Sequence, residues 1–485
     1  MNLSTPNIKK VDTSNFTKDQ AKAYEGLLEF INSPYDEQNY KVALTGAAGT
    51  GKTYLVKALL LNSKKSFSVI GLAAPTHKAV RVLGNSIGLK GININTLQSD
   101  LGLRLNFDVE KFDINNPPFD PKGKIKIGSY QIYIVDEASM INRGLCMFLE
   151  KTCKSNKTKL IYIGDESQLS PVGEKYSSAF KSLPVYRLYE IVRQGDDNPI
   201  SYLLGLLRYD VEHKTYNFLN YIVKNPQKFN SDYTKGYQVC NSEIFNQFVY
   251  TNFNDDELTR NVDYTKVIGY TNKCVSYWNK VIRTSIIQDA NKSIIGKNDL
   301  LISYITLVNT FNECIIKNSE EYIVNDIVNY IHPQYELKGF MVKFTAIHGG
   351  AVTKPLFIVD HNDRFTIQKY VQISESLIEQ AKTAKKTYRS QAWKNYYEFK
   401  ESCLLLTNII NPNTRTITYS RDIDYGFALT SHKSQGSTFD TVLVDVNDIV
   451  YDKNGNVYTD CEDVNRRLYV ACSRARNKLY LKFGK

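Results

Sequence analysis

Apolar positions along the chain change their period several times, and each change marks an element or a boundary. Residues 42–45, 67–74, 131–135 and 159–163 are short runs of apolar and β-branched side chains without alternation. Such runs predict strands covered on both faces, as in a parallel sheet wrapped by helices. Between them the spacing becomes helical, first at Ala23, Leu27, Leu28 and Ile31, then at Leu55, Ala58, Leu59 and Leu61. From 102 to 128 the pattern breaks. Asn115, Asn116, Pro117, Pro118, Pro121 and Gly123 are turn residues, and alternation at 103–107 and 124–127 predicts a small hairpin inserted into the first unit. A strand at 267–269 runs into the polar turn Tyr270-Thr271-Asn272, and Val275, Trp278, Asn279 and Ile282 follow at helical spacing.

Residues from about 290 to 415 differ in character. Short alternating runs at 300–307, 321–328, 339–346 and 355–359 predict a small β-barrel. Over 374–400, Leu377, Ala381, Ala384, Tyr388, Ala392, Tyr396 and Phe399 recur at helical spacing, with Lys382, Lys385, Lys386, Arg389 and Lys394 between them. That is either the solvated face of an amphipathic helix or an arm facing nucleic acid. The last seventy or so residues return to buried strands at 425–429, 441–446 and 478–483, with a helix over 467–476. The fold class is α/β, with two α/β lobes. The expected division is 1–186 for the first lobe, with its insertion at 102–128, then 187–290 and 416–485 for the second, interrupted by an insertion at 291–415.

Bulk properties narrow this picture only a little. At 485 residues the chain is too long for one core. A net charge of +11 suits an anionic polymer as partner, or a mildly basic soluble enzyme. The eight cysteines form no C-x-x-C pair, which argues against a zinc site or a disulfide framework and for a reducing compartment. No apolar run has membrane-spanning length and the N-terminus lacks a secretory core, so a cytoplasmic protein is expected.

The chemistry concentrates at the ends of the buried runs. After 42–45 comes Gly46-Ala47-Ala48-Gly49-Thr50-Gly51-Lys52-Thr53, the phosphate-loop pattern in its strand–loop–helix setting. Glycines let backbone N–H groups close on a phosphate, Lys52 supplies an ammonium, Thr53 a hydroxyl for Mg²⁺, and the helix N-terminus a partial positive charge. Asp136 and Glu137 end another run, with metal-holding and water-polarising tasks respectively. Gln168, in G-D-E-S-Q-L-S-P-V-G, is placed to sense a γ-phosphate, and Arg193 to reach it from a second lobe. Gln20 follows Phe16-Thr17-Lys18-Asp19. Its amide can pair with adenine, the preferred reading, or close a capping box with Thr17. Pro75-Thr76-His77-Lys78 ends the 67–74 run with several phosphate donors, or with a helix cap and a solvated lysine. Thr96 and Gln98 are weaker backbone contacts. In the hairpin, Phe107 or Phe119 offers an apolar wedge.

These motifs occur in one line with V-R-Q, T-S-H-K-S-Q-G-S-T and L-Y-V-A-C-S-R-A over residues 16–476. The ordered set resembles the superfamily 1 helicases, in their RecD/Pif-like branch (superfamily 1B), and is most similar there to the Dda-type helicases of tailed bacteriophages. The resemblance implies two RecA-like P-loop lobes with ATP and Mg²⁺ between them and single-stranded DNA across both. It implies Gln20 on adenine and 46–53 with Gly436 on the nucleotide. Thr53 and Asp136 would hold the metal. Lys52, Asp136, Glu137 and Gln168 would carry hydrolysis, with Arg193 and Arg474 as arginine fingers. Pro75, Thr76, His77, Lys78, Thr96, Gln98, Phe107, Thr271, Asn272, His432, Lys433 and Ser434 would meet DNA. The 102–128 hairpin takes the place of the family's pin, and 291–415 that of its SH3-like barrel and helical tower. The implied activity is ATP-driven, 5′ to 3′ translocation with unwinding of forked duplexes in replication or recombination, by a monomer working with single-strand-binding or other replication proteins, in the host cytoplasm if phage-encoded. The alternatives are a helicase subunit of a recombination exonuclease complex, an RNA translocase, and a non-hydrolysing scaffold. The last would be expected to have lost Lys52, Asp136, Glu137 or the arginines.

Overall fold

The computed structural model describes residues 11–105, 119–120, 123–171, 173–190, 198–255, 261, 263–308 and 314–484. In the first lobe, β1 (Lys41–Gly46), β2 (Ile70–Ala74), β3 (Asn93–Thr96), β4 (Ile132–Val135), β5 (Lys159–Gly164) and β6 (Val185–Leu188) form a parallel sheet in the order β3-β2-β4-β5-β1-β6. Successive side chains of β1 go to opposite faces. Val42 and Leu44 pack with α1 (Lys18–Asn32), α2 (Lys52–Asn62) and α3 (His77–Ile87) through Leu27, Leu55, Leu59 and Leu83. Ala43 packs on the other side with Leu149 and Cys153 of α4 (Arg143–Ser155). Cover on both faces is why the strands read as unbroken apolar runs.

The second lobe repeats the plan. It begins with α5 (Ile200–His213), β7 (Gln227–Phe229), β8 (Gly236–Cys240), β9 (Thr265–Gly269) and α6 (Asn272–Ile286). A five-stranded antiparallel sheet interrupts it, ordered β13-β12-β11-β10-β14, from β10 (Leu300–Ser303), β11 (Glu321–Ile331), β12 (Lys338–Ala346), β13 (Leu356–Val359) and β14 (Ile423–Tyr425). Then β15 (Ala428–Thr430), β16 (Phe439–Asp445) and β17 (Ala475–Lys482) complete the lobe in the order β15-β9-β16-β17-β8-β7, parallel except at β7. These are two RecA-like lobes.

Three local expectations change. The run at 374–400 is not one helix. Helices α7 (Arg364–Thr383) and α8 (Lys386–Ser402) break at Ala384, whose backbone is extended, where Thr383 turns its hydroxyl onto the Glu379 carbonyl beside a cluster of lysines. The two helices pack on each other and on β13 through Tyr370, Ala381, Trp393, Tyr396, Phe357 and Val359. In the first lobe's insertion, Arg104–Leu105 pairs with Phe119–Asp120, not with 124–127. Backbone bonds from Gly123 to Gly102 and from Lys126 to Asp100 tie the expected second arm to the lobe, where Ile127 is buried. The wedge candidate Phe107 lies outside the described residues, as does Arg193. Finally, residues 423–425, assigned to the second lobe from sequence, pair with β10 in the antiparallel sheet. No described helix is long and apolar enough to cross a membrane.

The three parts meet at a charged junction. Glu321, at the start of β11, lies 2.6 Å from Lys266 of β9 and 3.2 Å from Lys78 of α3, all three buried. Its neighbour Glu320 pairs with Arg81 of α3 at 2.5 Å.

Candidate active site

Gly46 ends β1, and the chain reaches α2 through Gly49 and Gly51, at φ 85° and 82°. Only glycine enters that region without cost. A Cβ at Gly46 would stand 2.6 Å from the Thr50 hydroxyl, which itself donates to the Ala47 carbonyl at 2.9 Å. Ala47 is buried and Ala48 half-buried, so the loop offers backbone and not side chain. Lys52 Nζ lies over it, donating to the carbonyls of Gly46 (2.6 Å) and Ala47 (2.9 Å). Thr53 follows, half-buried, in the first turn of α2. Of the two readings of Gln20, the capping box is present in the structure. Gln20 is buried, accepts from Thr17 N at 3.2 Å in a completed capping box, and donates through Nε2 to the Thr50 carbonyl at 2.9 Å. One end of the amide closes the cap of α1 and the other braces the phosphate loop.

Asp136 and Glu137 stand at the carboxyl end of β4, where an α/β sheet presents its ligands. The Glu137 N–H donates to Asp136 Oδ1 at 2.9 Å, and Glu137 holds a left-handed backbone, φ 50°. That conformation is costly for a residue with a Cβ and re-aims the side chain. Burial raises both pKa values, Glu137 to about 7. The Asp136 charge adds to the rise at Glu137, while Arg474 and Lys52 oppose it. One lobe's carboxylate thus feels the other lobe's guanidinium.

The 164–169 turn after β5 faces α9 (Cys461–Cys472) of the second lobe. Tyr469 donates to Asp165 Oδ2 at 2.6 Å. Arg466 Nη1 donates to the carbonyls of Glu166 and of Gln168, the latter at 2.8 Å, and Gln435 Nε2 to that of Leu169 at 3.3 Å. Gln168 is buried, and its side-chain Oε1 has no hydrogen-bond partner among the described residues. A cleft of about 190 Å³ opens here, lined by Ser139, Asp165, Gln168, Ser170 and Arg466 among others. Arg474, nearly fully buried, donates to the carbonyls of Val470 (3.0 Å) and Ser437 (3.1 Å) and to Ser473 Oγ (2.7 Å), all in its own lobe. Burial disfavours its charge, and Glu137 and Asp165 across the cleft support it. Gly436 (φ 71°) faces α3, with the Ala79 Cβ 3.9 Å from where its own would be.

The expected DNA contacts divide into surface groups and structural ones. Lys78 is no free surface cation: it is spent on Glu321, with its ammonium 5.3 Å from the Phe439 ring centre. Thr76 caps α3 through Ala79 N, and Thr96 caps the turn at Ser99 N. Thr271 caps α6 and donates to Asp448 Oδ1 at 2.6 Å, and the buried Ser434 donates to the Ser431 carbonyl at 2.9 Å. Gln98 and Asn272 are exposed, and Pro75, His77 and His432 half-buried. Lys433 donates to the Ser303 carbonyl and to Asn318 Oδ1, both at 3.1 Å, and sits 4.3 Å from the Tyr304 ring centre. Burial, with Arg421 and Lys78 nearby, pushes its pKa down to about 7. Sequence reasoning missed Arg466, Tyr469 and Gln435 as groups that cross between lobes. Arg466 and Tyr469 are three apart, hence on one helix face, and that spacing was the available signal.

An AAA domain family matches residues 16–220, and a UvrD-like helicase C-terminal domain family matches 425–482. The uncharacterized protein R530 of Acanthamoeba polyphaga mimivirus is 26% identical, over 96% of this chain and 98% of its own length. The ATP-dependent RecD2 DNA helicase of Deinococcus radiodurans is 30% identical over 37% of this chain and 23% of its own. The ATP-dependent DNA helicase dda of Enterobacteria phage T4 is 26% identical over 58% of this chain and 60% of its own. The two matched domains hold the phosphate loop and the α9 helix, respectively.

Proposed function

We propose a motor cycle for this chain, which belongs to the RecD/Pif-like branch of superfamily 1 and is an ATP-dependent DNA helicase. The observation that carries the cycle is the cross-cleft contact. The 165–169 turn of the nucleotide lobe is held by Tyr469, Arg466 and Gln435 of the other lobe. Whatever moves that turn moves the second lobe.

In this reading residues 1–186, 187–290 with 426–485, and 291–425 are the moving parts, the last boundary moving from 415 to Tyr425 because β14 pairs with β10. ATP with Mg²⁺ would supply a cleavable γ-phosphoryl group and the cation that neutralises it. The residues fit that cargo: a glycine cradle, Lys52 above it, Thr53 and Asp136 as oxygen ligands. Glu137 takes a proton from water, Gln168 senses the terminal phosphate by donating from its side-chain amide N–H, and Arg474 and Arg193 favour the closed cleft. After hydrolysis the charge that drew the lobes together is reduced and they part. His77, Gln98, Asn272, His432 and Lys433 grip single-stranded DNA on alternate lobes, and the insertion at 102–128 splits a forked duplex. A duplex step costs roughly 1.4 kcal/mol, so one base pair per nucleotide is affordable. The direction is 5′ to 3′ and the setting replication or recombination, by a cytoplasmic monomer.

Unwinding of forked duplexes carrying one single-stranded tail at a time tests this. Unwinding only with the 5′ tail is expected. Unwinding only with the 3′ tail would reverse the direction, and equal stimulation of ATP turnover by RNA would remove the DNA preference.

A further inference from the structure

Arg474 has a place in the proposed cycle, yet among the described residues its guanidinium bonds within its own lobe. Arg466 is a cation that does cross the cleft. Its Nη1 reaches the carbonyls of both Glu166 and Gln168. Its other edge is fixed at home: Nε and Nη2 donate to Glu462 Oε1 at 3.3 and 2.9 Å, one helical turn earlier on α9. The Arg466 side chain is only 13% exposed. A guanidinium is planar and its donors are rigidly disposed, so pinning one edge on Glu462 dictates where the other points.

Arg466 touches backbone, not the side chain of Gln168. The Gln168 side chain is buried, and its Oε1 has no partner among the described residues. The residue's orientation is therefore fixed from the main chain. Its N–H is bonded to the Asp165 carbonyl at 3.2 Å, and Asp165 is itself held by Tyr469. The second lobe thus grips both ends of the short turn that carries Gln168.

We propose that Arg466 is a positioning residue for ATP hydrolysis: by clamping the carbonyls of Glu166 and Gln168 it sets the orientation of the Gln168 side chain, and so transmits the lobe–lobe geometry to the terminal phosphate. The clamp works through Gln168 and binds no nucleotide itself. It rests on the motor reading above. In an open cleft the two carbonyls lose their donor and Gln168 loses its aim, so hydrolysis is confined to the closed state.

The test is a double-mutant comparison of single-stranded-DNA-stimulated ATP turnover, with KM for ATP and affinity for a fluorescent ADP analogue read alongside. R466A should lower kcat about tenfold, with KM and ADP affinity within about twofold of wild type. R466K, whose single ammonium cannot stay pinned on Glu462 while reaching both carbonyls, should recover only part of that loss. In a Q168A background R466A should cost less than about twofold more, because the route through Gln168 is already gone. A full further loss in that background, a parallel loss of ADP affinity, or unchanged kcat would overturn the clamp. If the alanine variant does not fold, R466K measured with and without Q168A carries the same comparison. A wild type with no DNA-stimulated turnover would overturn the motor reading and the clamp together, whereas an active wild type with an indifferent R466A sinks the clamp alone.

Discussion

Glu137 shows how a single side chain can be tuned at the expense of stability. Its carboxyl is half-buried beside Asp136, and desolvation together with the Asp136 charge disfavours its ionised form and raises its pKa to about 7. A base must be unprotonated to act, so kcat/KM for ATP should rise with pH between about 6 and 8, with an ascending limb near 7. A flat profile there would remove Glu137 as the base. The stability sign is opposite. An acid whose folded pKa is raised binds its proton more tightly when folded, so stability falls as pH climbs from the unfolded value of about 4.3 through 7. E137Q removes that cost. It should abolish turnover while raising Tm by a few degrees, measurable by calorimetry at neutral pH. Lys52 is the counter-case. Its ammonium makes no bond outside the phosphate loop, so K52A should cut turnover by about a hundredfold or more while single-stranded DNA still binds in filter assays.

Among the elements, those read most easily from sequence are the ones buried on both faces. The strands β1, β2, β4 and β5 announce themselves because their central positions are apolar, and their ends carry Gly46, Pro75, Asp136 and Gly164. The same reasoning is blind to pairing partners. A strand alternation at 124–127 looks like a hairpin arm, yet long-range backbone bonds to Asp100 and Gly102 decide its fate. Helical spacing at 374–400 likewise does not reveal the break at Ala384, since Leu377, Ala381, Ala384 and Tyr388 keep the three- and four-residue spacing across it. Lys78 reads as a donor for phosphate because its carboxylate partner Glu321 lies 243 residues away. The pairing of Arg104–Leu105 with Phe119–Asp120 is a separate two-stranded sheet, outside the parallel sheet of the nucleotide lobe. Removing 107–121 should therefore leave DNA-stimulated ATP turnover within about twofold and abolish unwinding of a forked duplex. Unwinding that survived the deletion would end the wedge reading.

At the scale of the whole molecule, the junction at Glu321 ties the two lobes to the insertion. Lys266 is fully buried there, and desolvation lowers its pKa even with Glu321 2.6 Å away. Glu321 gains what Lys266 loses: two ammonium groups hold its pKa at about 2. A depressed carboxylate contributes stability that is complete above its unfolded value and is lost as pH falls from there to about 2, so acid should loosen this junction only below the ordinary carboxylate range. At neutral pH the revealing change is E321Q. It leaves the Lys266 charge buried without its counterion, which should cost about 3–5 kcal/mol in urea unfolding. Replacing both members, E321M with K266M, removes the stranded charge and should recover much of that loss. The pair K266M alone versus E321Q alone separates charge from packing, because only the latter strands a cation. Should E321Q unfold like wild type, the lobes and the insertion are not joined through this carboxylate. If the double variant were as unstable as E321Q, the junction would be held by shape. A charge-based junction also predicts that E321Q releases Lys78, while Arg81 stays on Glu320, adding one cation beside His77, so single-stranded DNA affinity should rise and its salt dependence steepen by about one counterion.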